Sequence, residues 1–261
     1  MEEHEIIVVK IGGSTLGTHD TTLADIAELY RRGETVVVVH GGGALVNEWL
    51  ARLDMPTKFE RGLRVTDAPS LDVVVAVLAG LVNKQLVASL SALGVRAIGL
   101  SGADGNMLKA EVRDQSLGFV GEITEVEAAP LVRVMLAAGI PVIAPIGLAS
   151  DEEKKTSQLL NVNADTAAGA ITAVLRPSHL IVTSDVPGVM DGDEVMPSLN
   201  AEKARELIAS GVIAGGMIPK VEACLFAAEN GCRAAIVDGR AEHAVLSLVD
   251  GQPVGTTIGA K

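Results

Sequence analysis

The chain has 261 residues, of which 48% are hydrophobic and 21% charged, a composition that allows one globular unit with a substantial core. Its net charge of -12 argues against binding to nucleic acid or to an anionic membrane surface, because both attract clustered lysine and arginine. With one tryptophan, one tyrosine and three phenylalanines, a platform for stacking bases is not expected either.

The cysteines and the apolar runs bear on where the protein resides. Cys224 and Cys232 form no metal-binding or redox pattern, which favours a reducing compartment. No basic segment followed by an apolar stretch opens the chain, so a secretory signal is not expected. Uninterrupted apolar runs stay well below the ~20 residues of a membrane helix. We therefore expect a cytoplasmic protein without a membrane span.

Short apolar runs alternate along the chain with longer amphipathic stretches. The apolar runs are typical of strands and lie at 5–11, 35–40, 96–101, 140–145, 179–184 and 233–238. The amphipathic stretches have helical periodicity and lie at about 20–32, 43–53, 68–93, 124–138, 164–175, 200–210 and 219–230. This alternation predicts an α/β fold with a mostly parallel sheet covered on both faces. Two glycine-containing segments with short β-like pieces, 58–66 and 108–123, are candidates for binding hairpins.

The first strand ends in an unexpected residue. An apolar run precedes Lys10, and Gly12 and Gly13 follow it. A lysine at a strand end usually extends to water. The alternative is that its ammonium group faces an anionic ligand, which backbone N–H groups approach because the glycines have no side chains.

Glycines also follow two later strands, as Gly41 to Gly43 and as Gly102 with Gly105. The ends of parallel strands share one edge of the sheet, where α/β folds bind ligands. Each cluster by itself is explained equally well by a tight turn, but three at one edge favour a phosphate or carboxylate site. The P-loop and Rossmann fingerprints are absent, and so are the zinc-peptidase and α/β-hydrolase motifs. A phosphate-binding protein of another design remains.

Three more polar residues each allow two interpretations. Lys220 follows Pro219 at the start of a predicted helix, where the helix dipole disfavours a cation unless an anion is bound; a surface lysine is the alternative. Asp165 lies in NVNADTAAG, which is predicted to be a loop entering a helix, and it is either functional or, like Asn163, a helix cap. Arg64, in GLRVTD, either clamps a carboxylate or forms a surface ion pair.

In chain order, the motifs VVKIGG, VVHGGG, GLRVTD, GLSGADG, PIG, NVNADTAAG, SDVPGVMDG and GGMIPKVEA resemble those of the amino acid kinase family. The resemblance extends from Val8 to the closing GTTI at 255–258. KIGG and HGGG occur in several branches of that family. GLRVTD together with NVNAD is more specific, and it is similar to the branch that phosphorylates N-acetyl-L-glutamate.

The resemblance implies a single domain, residues 1–261, with the three-layer α/β/α sandwich of carbamate kinase-like proteins and a mostly parallel central sheet. An N-terminal lobe, about 1–175, would bind the amino acid and form the dimer, and a C-terminal lobe, about 176–261, would bind the nucleotide. The implied partners are N-acetyl-L-glutamate, ATP with Mg²⁺ bound to it, and a second copy of the chain in a homodimer. No metal site formed by the protein itself is expected.

The resemblance also implies roles for residues at matching positions. Lys10 and Lys220 would stabilise the transition state, and Asp165 would organise them. The residues implied to bind N-acetylglutamate are Gly42, Gly43, Arg64 and Asn161. The residues implied to lie along the nucleotide are Gly12, Gly13, Asp185, Val186, Pro187, Gly188, Val189, Met190, Val212, Ile213 and Ala214.

The implied reaction moves the γ-phosphoryl group of ATP onto a side-chain carboxylate that is already ionised at neutral pH, so no general base is needed. The alternatives are a kinase for carrier-bound aminoadipate or free glutamate, and a non-catalytic member of the fold that binds a nucleotide or an oxyanion. Arginine-sensitive members of the family form hexameric rings through an extra N-terminal helix. Because Lys10 is only the tenth residue, we expect no such helix and a dimer that is insensitive to arginine.

Overall fold

The structure is a computed structural model that describes residues 5–12, 21–60, 62–150 and 157–259. The strands within these ranges are β1 (Ile6–Ile11), β2 (Thr35–His40), β3 (Phe59–Glu60), β4 (Leu63–Arg64), β5 (Ala97–Ser101), β6 (Leu108–Val112), β7 (Val120–Val126), β8 (Ile140–Ala144), β9 (Ile146–Ala149), β10 (Leu159–Val162), β11 (His179–Ser184), β12 (Met190–Asp191), β13 (Glu194–Val195), β14 (Ser198–Asn200), β15 (Arg233–Asp238) and β16 (Thr256–Gly259). The α-helices are α1 (Thr22–Arg31), α2 (Gly43–Arg52), α3 (Ala68–Val75), α4 (Asn83–Ala92), α5 (Ala129–Leu136), α6 (Ala164–Leu175), α7 (Ala201–Ala209), α8 (Met217–Glu229) and α9 (Ala244–Val249).

Eight strands form the central sheet, in the order β14-β16-β15-β11-β1-β2-β8-β5. Neighbouring strands are parallel except for β15 and β16, which are antiparallel. Strand β1 lies between β11 and β2, so Lys10 is paired with Val182 on one side and Val39 on the other. The lysine therefore ends a strand in the interior of the sheet, not one at its edge.

Successive residues of β1 point to opposite faces of the sheet, and each face has its own hydrophobic cluster. Ile7 and Val9 belong to the cluster that includes side chains of α1, α2 and α9. Val8 belongs to the cluster that includes side chains of α6 and α8. The uninterrupted apolar run of β1 is explained because both faces of the sheet are covered. The α/β/α sandwich predicted from the sequence is confirmed.

A second, smaller group of strands, β10-β7-β6-β9, closes into a barrel. Its side chains Leu108, Ala110 and Leu160 are completely buried and join the same cluster as Val8. Strand β10 carries Asn161 at its third position and leads directly into α6. The barrel therefore places Asn161 next to the segment that carries Asp165.

One helix of the sandwich has the length and composition of a membrane span. A π-helical segment, Ala76–Val82, joins α3 to α4. The continuous helix Ala68–Ala92 has 25 residues, and its most apolar 18-residue window has a mean hydropathy of 1.9. One face of it, including Val74 and Leu86, is buried in the core. The side chain of its buried Asn83 donates a hydrogen bond to the backbone oxygen of Val142 in β8, at 2.9 Å. These contacts make it a core helix of the sandwich.

The sequence predicted six strands of the central sheet, β1, β2, β5, β8, β11 and β15, to within one residue at each end. The helix predicted at 124–138 was wrong in its first part, because Val120–Val126 is strand β7 and α5 begins at Ala129. The NVNAD segment was predicted as a loop, yet Asn161 and Val162 lie on β10. Strand β10 has only four residues, too few to show a clear alternation. Strand β7 has seven, but its apolar residues Val120, Ile123 and Val126 are three apart, a spacing that also fits a helix.

Candidate active site

Lys10 is buried at the end of β1, with 4% of its surface exposed. Side chains on a strand alternate between its faces, so Lys10 points to the same face as Val8, which α6 and α8 cover. Its Nζ forms an ion pair with Oδ1 of Asp165 at 2.8 Å. The sequence left open whether Lys10 extends to water, and the structure shows that it does not.

Asp165 is the second residue of α6 and is almost completely buried. The cap of this helix is Asn163, whose Oδ1 accepts hydrogen bonds from the backbone N–H groups of Asp165, at 2.9 Å, and Thr166, at 3.1 Å. Because Asn163 satisfies the helix end, the carboxylate of Asp165 is available for other partners. Its Oδ2 accepts a hydrogen bond from Lys220 Nζ at 3.3 Å.

Close packing of two helices brings Lys220 to Asp165. Gly169 of α6 lies against α8, and a Cβ added to it would be 3.3 Å from the Cα of Ala223. Lys220 is the fourth residue of α8, and its Nζ also donates to the backbone oxygen of Gly216 at 3.3 Å. The unfavourable dipole that the sequence predicted for this lysine is therefore offset by a carboxylate from the neighbouring helix.

The proximity of these charges affects the pKa values of Asp165 and Lys10. Burial acts to raise the pKa of Asp165, but the ammonium groups of Lys10 and Lys220 outweigh it and hold that pKa below the usual value. Burial lowers the pKa of Lys10, against the opposing effect of Asp165 and in the same direction as Lys220. Two cations and one carboxylate leave a net positive charge at the carboxyl end of β1, which favours an anionic ligand there.

A cavity of about 230 Å³ opens beside this group of charges. It contains six of the residues that the sequence assigned to catalysis or to binding of the amino acid: Lys10, Gly42, Gly43, Arg64, Asn161 and Asp165. Apolar side chains, among them Val46, Val74 and Leu78, line other parts of it. Residues that are far apart in the chain therefore share one concave site with a positive end.

Arg64 extends into the cavity from the short hairpin of β3 and β4, with its guanidinium group 4.8 Å from the centre of the Phe59 ring. Its Nη2 donates to the backbone oxygen of Gly43 at 3.1 Å and to Oδ1 of Asn47 at 2.6 Å. The buried Nη1 has no hydrogen-bond partner among the described residues. A buried donor without a partner is costly, so this nitrogen is suited to an anionic ligand.

The glycine loop between β2 and α2 forms another wall. Gly42 has a φ of 153°, and a Cβ added there would lie 2.6 Å from Cδ2 of Leu78. Only glycine fits this combination of backbone angle and close approach. The loop is followed at once by the N-terminus of α2, which begins at Gly43. Unpaired N–H groups of a helix N-terminus favour negative charge.

None of the described residues assigned to the nucleotide lines this cavity. The backbone N–H of Gly12 donates to Oγ1 of the buried Thr183 at 3.2 Å, and Gly13 lies outside the described residues. Asp185 and the residues up to Met190 follow β11, the neighbour of β1 in the sheet, and 212–214 precede α8.

Side chains differ in exposure within these two nucleotide segments. Val189 and Ile213 are buried in the core, whereas Val212 is exposed. For the two buried residues, only the backbone is left to contact a ligand.

Sequence reasoning missed several polar residues around the cavity. Asn47 contacts Arg64, and Asn83 donates through Nδ2 to Nε2 of His40, the residue before the glycine loop, at 3.1 Å. Thr66 contacts both Arg64 and Asn161. Only Thr66 had a signal in the sequence, because it is part of the GLRVTD motif.

Residues 5–238 match the model of the Amino acid kinase family. The chain belongs to the amino acid kinase family. The resemblance inferred from the motifs is thereby confirmed.

Curated relatives of this amino acid kinase match it over nearly their whole length. An acetylglutamate kinase of Dehalococcoides mccartyi is 42% identical over 258 residues, which cover 98% of this chain and 94% of the relative. An acetylglutamate kinase of Dinoroseobacter shibae is 45% identical over 246 residues, which cover 92% and 84% of the two chains.

Solved structures agree on the fold. The protein smu.665 from Streptococcus mutans UA159 superposes with a TM-score of 0.85 at 30% identity, covering 98% of this chain and 99% of that one. Carbamate kinase from Giardia lamblia bound to AMP-PNP superposes with a TM-score of 0.70 at 14% identity, over the full length of both chains. At that identity the second likeness shows the fold alone.

Proposed function

We propose that this amino acid kinase transfers the γ-phosphoryl group of ATP to the side-chain carboxylate of N-acetyl-L-glutamate, as acetylglutamate kinases do, in arginine biosynthesis. The observation that carries the proposal is one cavity with Arg64 Nη1 unpartnered in one wall and the Lys10, Asp165 and Lys220 charges beside it. An acidic amino acid has two carboxylates. One would be bound by Arg64 and the other would meet the phosphate near the lysines.

Lys10, Lys220 and Asp165 have different roles in the proposed reaction. Lys10 and Lys220 act on the phosphoryl group during transfer, because phosphoryl transfer is catalysed mainly by positioning and by stabilising charge on the phosphate oxygens. Asp165 holds both ammonium groups through its two oxygens, at 2.8 Å and 3.3 Å. The acceptor carboxylate needs no base, since it is ionised at neutral pH.

Binding of the amino acid is assigned to Arg64, Asn161 and the glycine loop with Gly42 and Gly43. Arg64 supplies a positive charge, Asn161 supplies an amide, and the loop supplies backbone N–H groups at the start of α2. These groups are polar, and apolar side chains, among them Val46 and Leu78, line the same cavity. Such a mixture suits a small molecule with charged ends and an apolar portion.

Mg²⁺ would come with the nucleotide and not from a site built by the protein. Among the described residues that line the cavity, Asp165 is the only carboxylate, and two lysines already engage it. Mg²⁺ prefers oxygen ligands and commonly uses one or two carboxylates together with phosphates. The residues present do not fit a protein-held ion, so no step is assigned to it.

Two lobes are proposed around the shared sheet, an N-terminal lobe of about residues 1–175 and a C-terminal lobe of about 176–261. The support is that every residue lining the cavity precedes α6 or lies in its first turn, up to Asp165. Apart from Gly12 and Gly13 at the end of β1, the segments assigned to the nucleotide follow α6. In this arrangement ATP lies along Gly12, Gly13, 185–190 and 212–214, and its terminal phosphate reaches the lysines.

A cytoplasmic homodimer is also proposed. The middle of the outward face of the helix Ala68–Ala92, between the exposed Asp72 and Lys84, is apolar and includes the exposed Ala76 and Gly80. Only 39% of the most apolar window of this helix is buried. Strand β5, at the edge of the sheet, exposes Ile98. A second copy of the chain would cover both features, which in a monomer would be in water.

The test is to trap the acyl phosphate product with hydroxylamine while the amino acid is varied. Purified protein with ATP and Mg²⁺ is expected to give hydroxamate with N-acetyl-L-glutamate and little with free glutamate. A carrier-bound aminoadipate substrate should give none. Absence of hydroxamate together with nucleotide binding would instead favour a non-catalytic member of the family.

A further inference from the structure

Thr66 lies between two of the residues that are assigned to the amino acid substrate. It follows β4 and is completely buried. Its Oγ1 donates a hydrogen bond to the backbone oxygen of Arg64 at 2.9 Å and accepts one from Nδ2 of Asn161 at 3.0 Å. One hydroxyl group therefore connects the hairpin that carries Arg64 to the strand that carries Asn161, which is 95 residues away in the chain.

The backbones of Thr66 and Asn161 are held independently of this hydroxyl. The N–H of Thr66 donates to Leu117 O at 2.9 Å, and the oxygen of Thr66 accepts from Phe119 N at 2.7 Å. The N–H of Asn161 donates to the oxygen of the same Phe119 at 2.9 Å. Gly118 lies so close that an added Cβ would be 2.2 Å from the oxygen of Thr66. Loss of the hydroxyl alone would therefore leave both backbones in place.

The single hydroxyl hydrogen decides which way the amide of Asn161 faces. A backbone oxygen can only accept a hydrogen bond, so the hydroxyl of Thr66 must donate its hydrogen to Arg64 O. Toward Asn161 the hydroxyl can then act only as an acceptor. The amide then has to turn its NH₂ group, and not its oxygen, toward Thr66. One hydrogen of Nδ2 is used in this bond, and the second hydrogen and Oδ1 remain for the cavity, which Asn161 lines.

We propose that Thr66 is a positioning residue that fixes the amide orientation of Asn161 and joins it to the Arg64 hairpin, so that both present donors to the carboxylate of the acidic substrate. The inference rests on the proposed function, because Arg64 and Asn161 are assigned to the substrate there. The orientation of the Asn161 amide matters because its N–H groups attract a carboxylate, whereas its oxygen repels one. Thr66 itself does not touch the substrate.

The test compares Thr66→Val with Thr66→Ser. Valine has nearly the shape of threonine without the hydroxyl, whereas serine keeps the hydroxyl and loses the methyl group. For Thr66→Val we expect KM for N-acetyl-L-glutamate to rise about tenfold, with KM for ATP unchanged and kcat lowered less than threefold. Thr66→Ser should keep every constant within about threefold, because the two hydrogen bonds remain possible.

A double-mutant cycle with Asn161→Ala separates positioning from a general loss of structure. If Thr66 acts through Asn161, Thr66→Val should raise KM much less in the Asn161→Ala background than in the wild type. Equal effects in both backgrounds would overturn the inference. It would also be overturned if Thr66→Val changed KM less than twofold, or if Thr66→Ser were as impaired as Thr66→Val.

A readout independent of turnover distinguishes this inference from the proposed function. The side-chain amide resonances of Asn161, assigned by their loss in Asn161→Asp, should shift in Thr66→Val and stay in place in Thr66→Ser. If the wild type does not phosphorylate N-acetyl-L-glutamate, the proposed function fails, and the amide resonances still decide whether the hydroxyl holds Asn161. Unchanged resonances in Thr66→Val would overturn the positioning role.

Discussion

At the scale of single residues, the central feature is a carboxylate shared by two ammonium groups. Asp165 is 3% exposed and lies 2.8 Å from Lys10 and 3.3 Å from Lys220. A buried excess of positive charge is unfavourable, and a bound phosphate would neutralise it. The same arrangement keeps the cations in fixed positions before the substrate arrives, as electrostatic catalysis requires.

Replacement of Lys220 by alanine should therefore lower kcat more than it raises KM for the amino acid. The expected loss in kcat is about a hundredfold or more, because the ammonium group is aimed at charge that develops during transfer. Steady-state kinetics with both substrates would measure it. Lys203→Ala, which removes a surface lysine paired with Glu206, serves as the control and should be unaffected. An unchanged kcat in Lys220→Ala would remove this lysine from the mechanism.

The role of a residue could be predicted from the sequence only where its contacts are with residues close to it in the chain. The sequence drew attention to Lys10 because an apolar run ends there, but it could not show that Lys10 meets Asp165. The choice between Asn163 and Asp165 as helix cap was settled only by the hydrogen bonds that Asn163 makes. The link from Thr66 to Asn161 could not be predicted either, because no local pattern encodes a contact across 95 residues.

At the scale of elements, the π-helical segment Ala76–Val82 is where the long helix meets the glycine loop. It brings Leu78 against Gly42, and Asn83 follows it directly. Asn83 donates to Nε2 of His40, and His40 Nδ1 lies 2.8 Å from the oxygen of Gly41. Both contacts are satisfied by a neutral imidazole that donates from Nδ1 and accepts at Nε2. Sequence periodicity located this helix but gave no sign of its π turn.

The neutral state of His40 predicts a pH dependence of stability. Burial lowers the pKa of His40 from 6.5 to about 4, although its bond to Gly41 acts in the opposite direction. Between these values the unfolded chain binds a proton that the folded chain does not, so the free energy of unfolding decreases as the pH falls. From about pH 7 to about pH 5 the loss due to His40 is about 2 kcal/mol.

Urea unfolding of the wild type and of His40→Gln at a fixed protein concentration would measure this contribution. Glutamine does not titrate and retains a donor and an acceptor. The wild type should lose about 2 kcal/mol more than the variant over this pH range. Because His179 and His243 remain in both proteins, their titration cancels in the comparison. If the free energy of unfolding falls equally with pH in the two proteins, His40 is not held neutral.

At the scale of the whole molecule, a strongly acidic protein is proposed to bind two anionic substrates. The net charge of -12 repels them at long range, but salt screens this repulsion beyond about 8 Å at physiological ionic strength. Lys10 and Arg64 line the cavity and Lys220 lies beside it, paired with Asp165, so these cations act at short range, where screening is weak. The fold thus concentrates positive charge at one edge of a sheet while the rest of the surface stays acidic.

The whole-molecule prediction concerns assembly through the helix Ala68–Ala92. Placing a charge in the middle of its apolar outward face, as Ala76→Asp, should give a monomer, because a carboxylate buried between two copies would lack a partner. Sedimentation equilibrium should show the wild type at twice the chain mass of 26.9 kDa and the variant near that mass. The matched control is Ala209→Asp at the exposed end of α7, which should remain dimeric. A wild-type monomer, or dimers in both variants, would place the dimer contact elsewhere or exclude it.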